Sequence, residues 1–218
     1  MATSVSIVTD ISAVKARDAY RFHANQEFVT LEAGVTATSD YGAAFYCGFA
    51  RVTDHLTIKG TALSTHGKAI LFQGQDSRID VALGAHVTST GLFAFSSSAV
   101  DLQNAGNSLF NQGTITSVAG PAVTTSGTDQ TVGNSGLIEG GIAGVVMQAT
   151  LAVIDNAGTI RNLAGDAQYG SVWFAYSDGR LDNSGVIAAA GSDAAGVQVL
   201  FNQGTGPLGY MSHPGRLH

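Results

Sequence analysis

Phe110-Asn111-Gln112-Gly113-Thr114-Ile115 is written into the chain again and again. It returns as Gly133-Asn134-Ser135-Gly136-Leu137-Ile138, as Asp155-Asn156-Ala157-Gly158-Thr159-Ile160 and as Asp182-Asn183-Ser184-Gly185-Val186-Ile187, with a shortened copy at Phe201-Asn202-Gln203-Gly204-Thr205. Recurrence of one unit at a near-constant interval is the signature of a stacked repeat architecture. Counted by turn glycines, the units run Gly34, Gly60, Gly84, Gly113, Gly136, Gly158, Gly185 and Gly204, with spacings of 26, 24, 29, 23, 22, 27 and 19. Helical-hairpin solenoids need longer units with a 3.6-residue apolar period. Spacings in the low twenties, with a variable excess, fit one coil of a β-solenoid carrying loop insertions.

The apolar pattern inside each unit divides the coil. Leu56, Leu109, Val132, Ile154, Leu181 and Leu200 precede the turn glycine by four residues, and Leu63, Val87, Ile115, Ile138, Ile160 and Ile187 follow it by two or three. A third apolar group comes later: Ile70-Leu71-Phe72, Phe93 with Phe95, Ala122-Val123, Val145-Val146-Met147, Val172-Trp173-Phe174, and Val197 with Val199. Three short apolar segments separated by Gly, Asn, Ser and Asp predict three strands and three turns per coil. The fold expected is all-β: a parallel β-helix of about seven coils and three strands per coil, over residues 29–204. One coil cannot bury its apolar face alone; neighbours ~4.8 Å apart pair every backbone group and build a continuous core. Asn and Gly tolerate the positive φ of a tight corner, and Asn side chains at one corner of successive coils can hydrogen-bond along the stack. Asn111, Asn134, Asn156, Asn183 and Asn202 are the expected ladder.

The flanks do not follow the unit. Residues 1–28, with a short helix or strand pair near Ser12–Tyr20, are expected to cap the first coil, since terminal units of a stacked array are atypical. Residues 205–218 carry two of the 3 Pro and no apolar period, and read as an irregular tail.

Composition agrees with strands and turns and removes several function classes. Charged residues are 12%, hydrophobic ones 44%, and there are 28 Gly. A net charge of −6 with only Lys15, Lys59 and Lys68 as lysines argues against nucleic acid as a partner, because phosphate binding needs clustered cations. A single cysteine, Cys47, excludes an internal disulfide and reads as a small core residue. No run approaches the ~18 apolar residues of a membrane span, and no Sec-type signal stands at the start.

The Asn-x-Gly-x-Ile copies, with Gly120-Pro121-Ala122-Val123 and Gly144-Val145-Val146 after them, resemble repeats of large bacterial surface and secreted proteins. These include autotransporter passengers, haemagglutinin-like adhesins and the β-helical regions upstream of RTX calcium-binding repeats. The resemblance implies a right-handed parallel β-helix, an extracellular or cell-surface location, and a structural or adhesive role toward carbohydrate or a host or cell-surface protein. The Gly-Gly-x-Gly-x-Asp nonapeptide of RTX calcium sites is missing, so neither metal nor cofactor is carried over.

Three groups are candidates for a site. Asp155 and Asp182 stand at equal positions in consecutive coils, about 5 Å apart on a regular stack, with Arg161 and Arg180 as possible counter-charges. Paired carboxylates are the equipment of polysaccharide-cleaving enzymes, so a carbohydrate-active β-helix enzyme is the alternative to a non-enzymatic segment; the plainer reading is a solvated turn face. Asp54, His55, His66, Asp76, Arg78, Asp80 and His86 could bind a metal or move protons, but match no metal spacing. Tyr169, Trp173 and Tyr176, in the long unit before Gly185, could stack on a sugar or meet a protein, or Trp173 and Phe174 could fill the core. Thr pairs such as Thr114 and Thr116 suggest an ice-binding array, which Glu139 and Arg161 interrupt. A fragment of a calcium-dependent secreted protein is the third reading.

Overall fold

The computed structural model describes residues 2–15, 17–93, 95–163, 169–175, 178–190 and 195–199. Its first coil is made of β1 (Thr3–Ile7), β2 (Ile11–Ala13) and β3 (Tyr20–Arg21). Each begins an eight-stranded sheet, here called A, B and C respectively, and every neighbouring pair in all three sheets is parallel. Eight rungs, seven steps apart, make a β-solenoid of about seven turns, roughly 34 Å along its axis at the usual strand spacing. Residues 1–28, set apart as a cap by the sequence, therefore supply the first rung of every sheet as strands, not a helix.

Alternation of side chains across each strand puts one column of every sheet inside. In sheet A it is Val29, Leu56, Ile79, Leu109, Val132, Ile154 and Leu181; in sheet B, Ala37, Ala62, Val87, Ile115, Ile138, Ile160 and Ile187. Two expectations are corrected here. Leu63 faces outward and Ala62 enters the core, because the strand after Gly60 starts at Thr61, one residue sooner than the strand after Gly84. The third strand of the long unit after Gly84 is Val100–Leu102, not the Phe93 segment; Phe93 is 62% exposed, on an insertion that ends in the short 3₁₀ turn Phe95–Ser97.

The corners explain the turn residues differently from the sequence. Gly113, Gly136, Gly158 and Gly185 do not take positive φ. They are glycines because successive coils touch there: a Cβ on Gly136, Gly158 or Gly185 would lie 2.1–2.2 Å from the carbonyl oxygen of the corner glycine one coil before. Of the earlier turn glycines Gly34 and Gly84 are left-handed, and left-handed backbone recurs at the corner from sheet C back to sheet A, at Gln26, Thr53, Asp76, Gly106, Asp129 and Leu151. Their side chains share no chemistry, which hides the position from a reading of sequence.

Candidate functional site

Apart from Thr125, which faces Met147 within sheet C, the columns of buried polar side chains among the described residues lie at the three corners, where backbone groups turn away from the ladders and need partners. At the A-to-B corner the first rungs are closed by Ile7, Leu31, Ile58 and Val81, and the column then changes to Asn111, Asn134, Asn156 and Asn183. All four asparagines are at most 5% exposed. Asn111 Nδ2 donates to Asn134 Oδ1 at 2.8 Å, Asn134 Nδ2 to Asn156 Oδ1 at 2.7 Å, and Asn156 Nδ2 to Asn183 Oδ1 at 2.7 Å. The same Nδ2 atoms reach the carbonyls of Leu137, Thr159 and Val186 in the next coil at 3.1–3.3 Å. Asn202 lies outside the described residues.

Two further columns were not anticipated. At the B-to-C corner Ser39, Ser64, Ser89 and Ser117 are buried; Ser64, Ser89 and Ser117 donate to the carbonyls of Gly42, Gly67 and Ser97 at 3.2, 2.7 and 2.6 Å. The signal was present: a serine four or five residues past Gly34, Gly60, Gly84 and Gly113. At the C-to-A corner the residue after each left-handed one is buried: Glu27, Asp54, Ser77, Asn107 and Gln130, and in the last instance the apolar Ala152. Asp54 accepts from the Glu27 N–H at 2.9 Å, Ser77 Oγ from the Asp54 N–H at 3.2 Å, and Asn107 Oδ1 from the Ser77 N–H at 2.9 Å, each side chain completing the coil before it.

The top of that column holds the buried ionisable groups. Glu27 accepts from the Tyr20 hydroxyl and from the backbone N–H of His23 (2.7 Å) and Ala24 (3.1 Å). Burial works to raise its pKa, but those hydrogen bonds outweigh it and hold the carboxyl below its ordinary value. Asp54 is shifted the other way, up, first by burial and then by the Glu27 charge, against the opposing hydrogen bond from the Glu27 N–H. Cys47 is fully buried, as expected for a core residue, and points its thiol at Asp54 Oδ2 at 3.3 Å; burial pushes that thiol far up. It is not a nucleophile in this setting.

The carboxylates expected to meet do so in part. Asp155 and Asp182 are register partners on the outer face of sheet A, and Arg180 is ion-paired with Asp182. They edge a shallow hollow whose floor is Gly133 and whose far wall is Phe110; a Cβ on Gly133 would lie 2.8 Å from that ring. Arg161 is not part of it: it lies on sheet B, paired with Glu139. On the other side Phe110 carries the Arg78 guanidinium 4.4 Å from its ring centre, and Arg78 holds Asp80, which also meets His55 at 2.5 Å. The remaining polar candidates disperse: Asp54 is interior, His66 meets Asp40 at 2.6 Å, and His86 opens a strand of sheet B. Among the described residues no group of three or more His, Cys, Asp or Glu is placed to hold a metal ion.

Trp173 does not fill the core. Phe174 and Val172 do, while Trp173 stands half-buried in the outer column of sheet C beside Val146, its ring centre 5.1 Å from that of Tyr169. Tyr176 lies outside the described residues. No family model, curated protein or solved structure matches the chain. The described residues hold no helix long and apolar enough to cross a membrane.

Proposed function

We propose that this protein is a non-enzymatic, structural or adhesive β-solenoid segment of an exported bacterial surface or secreted protein, acting outside the cell or on its surface. One observation carries the reading: ion pairs stand on the outer faces of all three sheets. Asp80 is held by Arg78 on sheet A, Glu139 by Arg161 on sheet B, and Asp101 by Lys68 at 2.6 Å on sheet C. Such pairs keep a rod soluble and leave its long faces to offer repeated contacts to carbohydrate or to a host or cell-surface protein. The test is to present the intact protein to a panel of polysaccharides and cell surfaces. Retention without release of new reducing ends or unsaturated sugars is the expected result; release of either would overturn it.

The hollow edged by Asp155, Asp182 and Arg180 favours a second reading, a carbohydrate-active enzyme with those carboxylates as its acid and base. That reading requires turnover in the same panel, abolished by Asp155→Asn or Asp182→Asn with the fold intact.

A further inference from the structure

The uncharged polar residues at the corner from sheet C back to sheet A share a habit: each gives a proton to a nearby backbone carbonyl. Ser77 Oγ accepts the Asp54 N–H at 3.2 Å and donates to the Gln75 carbonyl at 2.9 Å. Asn107 Oδ1 accepts the Ser77 N–H at 2.9 Å, while its Nδ2 donates to the carbonyls of Gly74, at 2.9 Å, and Gln103. Gln130 Nε2 donates to the carbonyls of Asn104 and Ser126. Asp54 occupies the same place, 1% exposed, and accepts the Glu27 N–H on Oδ1 at 2.9 Å. As a carboxylate it has nothing to donate. Among the described residues its other oxygen, Oδ2, meets the Cys47 thiol alone, at 3.3 Å, and a thiol is a weak donor.

Glu27, the other carboxylate of the column, is provided for differently. It takes the Tyr20 hydroxyl and the N–H groups of His23 and Ala24, and feels the His23 imidazole. A buried charge is therefore matched on Glu27 and poorly matched on Asp54. The titratable and charged groups facing Asp54 are Glu27 from the coil before, Cys47 at the end of the strand Phe45–Cys47, and Arg51 beyond it, whose opposite charge acts least; the coil after brings the uncharged Ser77. Burial, and after it the Glu27 charge, push the Asp54 carboxyl up against the pull of the Glu27 N–H. Protonated on Oδ2, Asp54 reproduces Asn107: Oδ1 still accepts the Glu27 N–H, and the new O–H donates to Cys47 Sγ. From this likeness we infer that Asp54 is a buried proton switch, whose neutral acid closes the corner between the second and third coils and whose ionisation loosens it. Such a group stabilises the fold below the ordinary carboxylate range and loses that contribution as pH rises through its own, higher midpoint. The sign is opposite to that of Glu27.

Asp54→Asn supplies the missing donor without the charge. In urea unfolding of the full chain the variant is expected to have the higher midpoint at neutral pH, and to lose that lead in acid below the ordinary carboxylate range, where wild-type Asp54 is neutral in both states. A lead absent at neutral pH, or unchanged in acid, would overturn the proposal. Should the variant lose its fold, carbon-13 NMR titration of the Asp54 carboxyl in the wild-type chain answers without a substitution at that site. A midpoint above the ordinary aspartate value is expected, and one at or below it overturns the switch. Cys47→Ser replaces the weak donor at Oδ2 with a hydroxyl and is expected to bring that midpoint down; a midpoint that does not move would count against a shortage of donors as its cause, and so against the switch.

Discussion

Asn134 receives from Asn111, donates to Asn156, and supports the carbonyl of Thr159 at 3.2 Å, all at 3% exposure. Asn134→Ala strands a donor above it and acceptors below, and a buried unsatisfied group costs about 1–3 kcal/mol. The expected loss is about 2–4 kcal/mol, read as a lower urea midpoint. Leu151 presents the opposite case. It holds φ at 54° with its side chain 61% exposed, paying for a left-handed backbone with little burial in return. Leu151→Gly is expected to stabilise by about 1 kcal/mol, a rise of a few degrees in Tm by calorimetry. Glu27 gives a pH dependence whose sign is fixed by its lowered pKa. A carboxyl lowered on folding contributes stability above its unfolded pKa and loses it as pH falls through the folded value. Glu27→Gln should therefore cost stability at neutral pH and far less in acid below the ordinary carboxylate range. Urea titrations of both proteins at the two pH values check this; an equal cost at both would refute it.

At the scale of the strand and its corner, the distance between coils dictates which residue can turn. Gly34 has open space around its missing Cβ and a φ of 77°, so Gly34→Ala is penalised by backbone conformation alone, about 1 kcal/mol. Gly136 has ordinary φ and a neighbouring carbonyl oxygen 2.2 Å from where a Cβ would stand. Backbone cannot move aside as a flexible side chain can, so Gly136→Ala must lift one coil off the next. It is expected to cost about 3 kcal/mol or more, several times the Gly34→Ala effect in the same denaturation series.

Across the whole molecule, one core cluster runs from Ile7 in the first coil to Leu181 and Ile187 in the last, but the chemistry of its corners changes along the rod. The first coils close the A-to-B corner with aliphatic groups and place their carboxylates at the C-to-A corner; the later coils close the A-to-B corner with amides. Each coil touches only its neighbours, so stability is a sum of coil and interface terms and opening starts at the ends. Native-state hydrogen exchange is expected to show the strongest protection in Leu109–Asn111, Val132–Asn134 and Ile154–Asn156, with β1 to β3 exchanging earlier. Uniform protection along the rod would contradict that picture.

The sequence by itself determined the coil. Repetition of Asn111, Asn134, Asn156 and Asn183 at equal distances from an apolar residue and a glycine leaves parallel stacking as the arrangement that buries every copy alike, and the ladder follows. The pairing of Asp155 with Asp182 was legible for the same reason, since equal positions in consecutive units become neighbours. Only the tertiary structure decided what depends on neighbours of unequal spacing: that Ala62 displaces Leu63 from the core, and that Trp173 faces outward. It alone revealed the Glu27-to-Gln130 column. That column is defined by a backbone conformation and by the needs of the coil before it, and residues as different as Glu, Ser and Gln satisfy those needs.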